Sequence, residues 1–141
     1  MTEQMIRSAT EHEIDSVIQL WHAAGGTPSV TDTHAGLLSL LATDPDALLV
    51  VEIEGIVVGS LISAWDGWRG SFYRLAVHPE YRRQGLATAL VREGERRLKA
   101  RGAVRLTAVV TDDDAIATGF WSAAGYERQA HQARFARHAN E

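Results

Sequence analysis

The stretch that decides the fold is "VHPEYRRQGLATALV", Val77 to Val91. Val77-His78-Pro79 reads as a strand end, since proline cannot donate to a ladder and disfavours helix at the residue before it. Beyond it, Leu86, Leu90, Val91, Gly94 and Leu98 fall on one face of a helix that begins around Gly85, and Gly102 is a natural stop. Between strand and helix lie two arginines, a glutamine and a glycine. The first N–H groups of a helix lack intrahelical partners, and the helix dipole favours an anion beside them. Gly85 admits a ligand close to the backbone because it has no Cβ, and small Ala87 keeps the next turn open. Arg82 and Arg83 add charge suited to phosphate. Taken alone, the stretch fits a plain polar turn ahead of a helix equally well.

Working outward, "ALLVVEIEGIVVGSLISAW" holds two β-branched runs separated by Glu54-Gly55, a hairpin pattern. "DGWRG" supplies a second turn and "SFYRLAV" a third strand. Upstream, Gln4 to Ala9 predicts a short strand. Thr10 and Glu13 have capping-box spacing, and Ile14, Val17, Ile18 and Trp21 recur at helical intervals up to Gly25-Gly26. After the loop "GGTPSVTD", Leu37, Leu38, Leu40 and Leu41 predict a second short helix ending before Pro45. Downstream, "AVRLTAVV" reads as a strand, and "TDDDAIATGFWSAAGY" as a helix with acidic residues at its start and Gly125 at its end. Tyr126 to Arg137 alternates weakly and predicts one or two last strands. The order β-α-α-β-β-β-α-β-α-β places the chain in the α/β class, a mixed sheet with helices packed on it.

Composition narrows the function. At 141 residues, with no repeat or linker, residues 1–141 are expected to form a single domain. A net charge of −4 argues against a general nucleic-acid binder. Without cysteine there is no disulfide, thiolate metal site or cysteine nucleophile. The polar start "MTEQMIRSATEHE" is unlike a secretory signal, and no apolar run reaches membrane-spanning length, so a cytoplasmic protein without membrane partners is expected.

Arg82-Arg83-Gln84-Gly85-Leu86-Ala87 fits the pattern Q/R-x-x-G-x-G/A, and "AIATGFWSAAGY" is similar to A-x-x-x-F-Y-x-x-x-G-F/Y through Ala115, Phe120, Gly125 and Tyr126. With the element order, these motifs resemble the GNAT superfamily of N-acetyltransferases. The block "DGWRGSFYRLAVHPEYRRQGLA" looks closest to short, stand-alone bacterial members of a YpeA-like branch. The resemblance implies a mixed sheet splayed between its fourth and fifth strands and flanked by about four helices. It also implies acetyl-CoA as co-substrate. The N–H groups of Arg83, Gln84, Gly85, Leu86, Ala87 and Thr88, beside Arg82, would then hold the pyrophosphate. Backbone groups of Leu75, Ala76 and Val77, on a bulged strand, would hold the pantetheine arm, and the Val77 N–H would polarise the thioester carbonyl. An acceptor amine would attack the acetyl group directly, both substrates being held together.

Two positions depart from the family pattern. Asp114 stands where an asparagine often touches the pantetheine; an ionised aspartate only accepts hydrogen bonds. Trp121 stands where a tyrosine often protonates the departing thiolate, and an indole is no practical acid. Tyr73 and Tyr126 are substitutes for that role, Tyr126 reading more readily as core. The strand "SFYRLAV" carries no carboxylate, so Glu52, Asp66 and His22 are the candidate general bases, alongside a base acting through water.

The other signals have plainer readings. Asp112-Asp113-Asp114 suits a helix start better than a metal, and the six histidines lack zinc-site spacing, so no metal is expected. Trp21 reads as core, while Trp68 in its turn is either buried or part of a binding surface. Arg69 would meet a substrate carboxylate or pair with Asp66. Arg92, Arg96, Arg97, Lys99 and Arg101 form a basic helical face neutralised by Glu93–Arg97 and Glu95–Lys99 pairs. The expected function is acetyl transfer to a primary amine of a small molecule or peptide, with N-terminal peptide acetylation a narrower form. A non-catalytic acyl-CoA-binding module is the alternative from another class. A homodimer is left open, dimers being common among proteins that the chain resembles.

Overall fold

A computed structural model describes residues 4–111 and 113–140. The chain divides into two compact units at Val109/Val110. The first carries a five-stranded sheet in the spatial order of the sequence: β1 (Gln4–Ser8), β2 (Leu48–Ile53), β3 (Ile56–Trp65), β4 (Gly70–Val77) and β5 (Leu106–Ala108). The first four pair antiparallel, and β5 joins β4 in parallel. Three helices belong to this unit: α1 (Ile14–Ala23), α2 (His34–Thr43) and α3 (Leu86–Ala100). The second unit contains α4 (Ala115–Ala123). Residues 126–140 contain no strand, against the expectation of one or two there. Their alternation is too weak, and the segment too exposed, for one face to fix a register.

Alternation along β2 and β3 sorts the core into two layers. Leu48, Val50 and Ile62 pack with Ile14, Val17 and Trp21 of α1 and Leu37 of α2. The opposite face meets α3, which approaches closely because Gly94 lies against β3 and β4. A Cβ there would sit 2.7 Å from Phe72 and 3.2 Å from the Ser63 hydroxyl. Trp21 is core as expected, and its Nε1 donates to the buried Ser60 hydroxyl at 2.8 Å. The turn between β2 and β3 falls on Glu54 and Gly55, both at positive φ, as a two-residue hairpin of this kind requires.

Charge pairing fixes the outer layer. The Thr10 N–H donates to Glu13 Oε1 at 2.9 Å, and Arg7 grips the same carboxylate with bonds of 2.7 and 2.6 Å. Arg7 holds the Glu13 carboxyl down from 4.5 to about 2. On α3, Glu93 accepts from Arg96 and Arg97, which lower its carboxyl from 4.5 to about 2. The expected Glu93–Arg97 pair is present at 2.7 Å, while Glu95 accepts from Arg92 one turn earlier in the helix.

Both carboxylates are held below their unfolded values, so their stabilisation is complete above about pH 4.5 and fades as pH falls towards 2. Urea unfolding midpoints are expected to drop across that window. Glu13→Gln, measured by circular dichroism, should be less stable than the parent at pH 7 and show a shallower acid loss. Parallel curves for variant and parent would remove Glu13 from this account.

Candidate active site

The register between β3 and β4 slips midway: Ile62 faces Tyr73, but Ser60 faces Ala76. Two steps on β3 match three on β4, so β4 carries one extra residue, a bulge. Arg74 sits within it at φ 55, a left-handed conformation uncommon for any residue but glycine. Beyond Phe72, β4 also loses its parallel neighbour, because β5 ends at Ala108 opposite it. This is the expected splay between the fourth and fifth strands. The His78 N–H donates to the Val58 carbonyl at 2.8 Å, so alternation turns the N–H and C=O of Val77 to the other edge, past the end of β5. That open edge is where an extended ligand could take the place of a strand.

The chain then turns through Pro79–Tyr81, where His78 Nδ1 accepts the Glu80 N–H at 3.2 Å, and reaches the loop before α3. Arg83 has φ 64 and Gly85 φ 78. Left-handed residues in such a turn aim successive N–H groups into a concavity suited to an anion. The first bond into α3 runs from the Ala89 N–H to the Gly85 carbonyl at 3.0 Å. The N–H groups of Leu86, Ala87 and Thr88 precede it and have no partner among the described residues. Thr33 and Asp114 cap α2 and α4 with their side chains; Gly85 offers α3 no such cap. A Cβ built on Gly85 meets nothing within 4 Å, so the space before the helix end is clear. These features fit a pyrophosphate.

The two arginines of the loop differ. Arg83 and Gln84 are exposed, and the Arg83 guanidinium makes no bond among the described residues. Arg82 is occupied: its Nε donates to the Val77 carbonyl at 3.3 Å and its Nη2 to the Ala24 carbonyl at 3.0 Å. The sequence suggested a phosphate ligand, and the geometry gives Arg82 a bracing contact as well. Leu86 is buried beneath the loop, with Ala87 half-buried and Thr88 exposed.

The candidate proton-transfer groups lie apart. Tyr73, on β4 just before the bulge, is 37% exposed and its hydroxyl makes no bond among the described residues. Glu52, at the end of β2, accepts from Arg7 at 2.9 Å. Asp66 accepts the N–H groups of Trp68 and Arg69 at 2.8 and 2.6 Å, which hold its carboxyl below the ordinary range. It therefore organises its own turn. Arg69 lies over the ring of the exposed Trp68, 4.0 Å from its centroid. His22 is exposed on α1.

In the second unit, Asp114 Oδ1 accepts the Ala117 N–H at 3.0 Å, making it the N-cap of α4. Trp121 is buried, in edge contact with Phe120 and with Tyr126 at 5.0 Å between centroids. Asp112 lies outside the described residues. Among those described, no three His, Asp or Glu side chains gather as metal ligands would. Sequence reading missed Arg74, whose one signal was the broken alternation of "FYRLAV", and gave no hint that Asp32 would bond to it.

Comparison with known proteins agrees with this geometry. The family model described as the acetyltransferase (GNAT) family matches residues 12–126. An acetyltransferase of Yersinia pestis (strain Pestoides F) is 36% identical over 124 residues, 88% of either chain. Ard1 from Thermoplasma volcanium superposes with a TM-score of 0.78 at 22% identity, over 86% of this chain and 81% of that one. The aminoglycoside N-acetyltransferase AAC(6')-Iy, solved with CoA, gives 0.75 at 16% identity, over 99% and 97%. A family model spanning both motifs, and a relative matched over nearly its whole length, together establish that the chain belongs to the GNAT family and is an N-acetyltransferase.

Proposed function

We propose that the protein transfers the acetyl group of acetyl-CoA to a primary amine by direct attack, with both substrates bound at once. The observation that carries this reading is the meeting, in one chain segment, of a β4 edge with no strand beside it among the described residues and an α3 N-terminus with no side-chain cap. Acetyl-CoA supplies the activated acyl group. The N–H groups of residues 83–88 bind the pyrophosphate with the α3 dipole behind them, and Arg83 adds charge. The backbone of Leu75, Ala76 and Val77 holds the extended pantetheine as a missing strand would. The Val77 N–H donates to the thioester oxygen, where negative charge grows during attack.

In the reaction the acceptor nitrogen bonds to the acetyl carbon, the carbon–sulfur bond breaks, and the amine gives up a proton while the thiolate gains one. Tyr73, whose hydroxyl beside the bulge has no partner among the described residues, is the donor that we favour for the thiolate. Glu52 and Asp66 remain in the scheme as carboxylates, but their present bonds must loosen before either takes a proton. Removal of the amine proton through water is the simpler route. Asp114 and Trp121 complete the cofactor-binding set in this reading, which treats residues 1–141 as one domain; the family model crossing Val109/Val110 supports that. In this reading the enzyme is of the YpeA-like kind and works in the cytoplasm. The acceptor is a small-molecule or peptide amine.

Gly85→Gln tests the cradle. It forces a side chain into the clear space and disfavours φ 78, so acetyl-CoA affinity by calorimetry should fall at least about tenfold, or 1.4 kcal/mol. Unchanged affinity in a folded variant would place the pyrophosphate elsewhere. Trp121→Tyr restores an acidic hydroxyl where the family often has one. Acetyl transfer should rise, by less than the ~10²-fold common for general acids, because thiolates already leave well. No change would mean that the proton comes from another group, such as Tyr73, or that another step limits the rate.

A further inference from the structure

We propose that Arg74 and Arg82 are positioning residues that staple the loop between α1 and α2 along the open edge of β4. There the loop shields the thioester from water. This rests on the reading of that edge as the acetyl-CoA strand. At one end, Arg74 donates through Nε to Asp32 Oδ1 at 3.1 Å and through Nη2 to Oδ2, with both side chains largely covered. Asp32 in turn accepts the Ser29 N–H at 2.9 Å, folding the loop back on itself. The loop backbone passes close by, since a Cβ on Gly26 would lie 3.5 Å from Arg74 Nη1. Beneath the guanidinium, 5.5 Å from its carbon, is the ring of Trp21. At the other end, Arg82 joins the Ala24 carbonyl to that of Val77. Residues 24–32 are thus fastened near both ends of the edge that carries Leu75 to Val77.

The backbone of Arg74 argues that its side chain is wanted. A bulge residue at φ 55 is best served by glycine, which adopts that region at no steric cost. An arginine there works against its own preference, and the clasp on Asp32 and Trp21 offsets it. Backbone and side chain can therefore be separated: Arg74→Gly keeps the bulge and loses the clasp, and Asp32→Asn weakens the clasp from the other side.

The test combines amide hydrogen exchange with acetyl-CoA binding and with hydrolysis in the absence of amine, all on the full chain. In that side reaction water bonds to the acetyl carbon, the carbon–sulfur bond breaks, and acetate and the thiol are released. Arg74→Gly and Asp32→Asn should each speed exchange in residues 24–33 about tenfold and raise hydrolysis severalfold. Acetyl-CoA affinity should stay within about threefold of the parent, and the double variant should behave like either single one. Arg74→Ala, which also disfavours the bulge, should lose affinity that Arg74→Gly regains. Unchanged exchange in both clasp variants overturns the staple, and faster exchange with unchanged hydrolysis overturns its shielding role. If the parent does not bind acetyl-CoA, the reading of the edge fails, and the exchange data still decide whether the staple exists.

Discussion

A strand in a sheet interior normally spends its backbone groups on two neighbours, and β4 beyond Phe72 has only one. Unpaired N–H and C=O groups seek partners, so an edge that opens inside a fold is a binding surface unless something covers it. The rest of the first unit is arranged around this constraint. The bulge shifts the register just where β5 ends, proline closes the strand, and the chain arrives at a helix whose first N–H groups are also unpaired. Two sets of free donors follow each other within about a dozen residues. An extended ligand with a phosphate at one end would satisfy both.

Electrostatics divides the charged residues into those that hold the fold and those left for chemistry. Glu13, Glu93, Glu95 and Asp32 are bound by arginines, and Asp66 is bound by the N–H groups of its own turn. Arg82 is spent largely on carbonyl groups, which leaves Arg83 as the cation of the loop with no partner among the described residues. Near the bulge, the Tyr73 hydroxyl has no partner among the described residues. In the proposed mechanism, proximity and the Val77 N–H would carry more of the rate than any strong base, in keeping with a strand that bears no carboxylate.

Much of this was legible in the residues. Helical spacing gave α1, α2 and α3, acidic residues at the start and Gly125 at the end gave α4, Glu54-Gly55 gave the hairpin, and Gly85 before an apolar face gave the loop ahead of α3. These are local signals, set by side-chain period and turn chemistry. What escaped depends on contacts between distant segments. Nothing near Arg74 announces Asp32, forty-two residues away, and nothing in Arg82 distinguishes a phosphate ligand from a brace on Ala24. The weak alternation after Tyr126 suggested strands because period-two patterns arise by chance in short polar segments, and no buried face held them in register.

Thiol release from acetyl-CoA by the purified chain, against a panel of small-molecule and peptide amines, decides whether acetyl transfer takes place at this site. The open edge and uncapped helix predict release that depends on the amine and matches the N-acetylated product one to one. Tight binding of acetyl-CoA with no amine-dependent release from a broad panel would contradict transfer at this site.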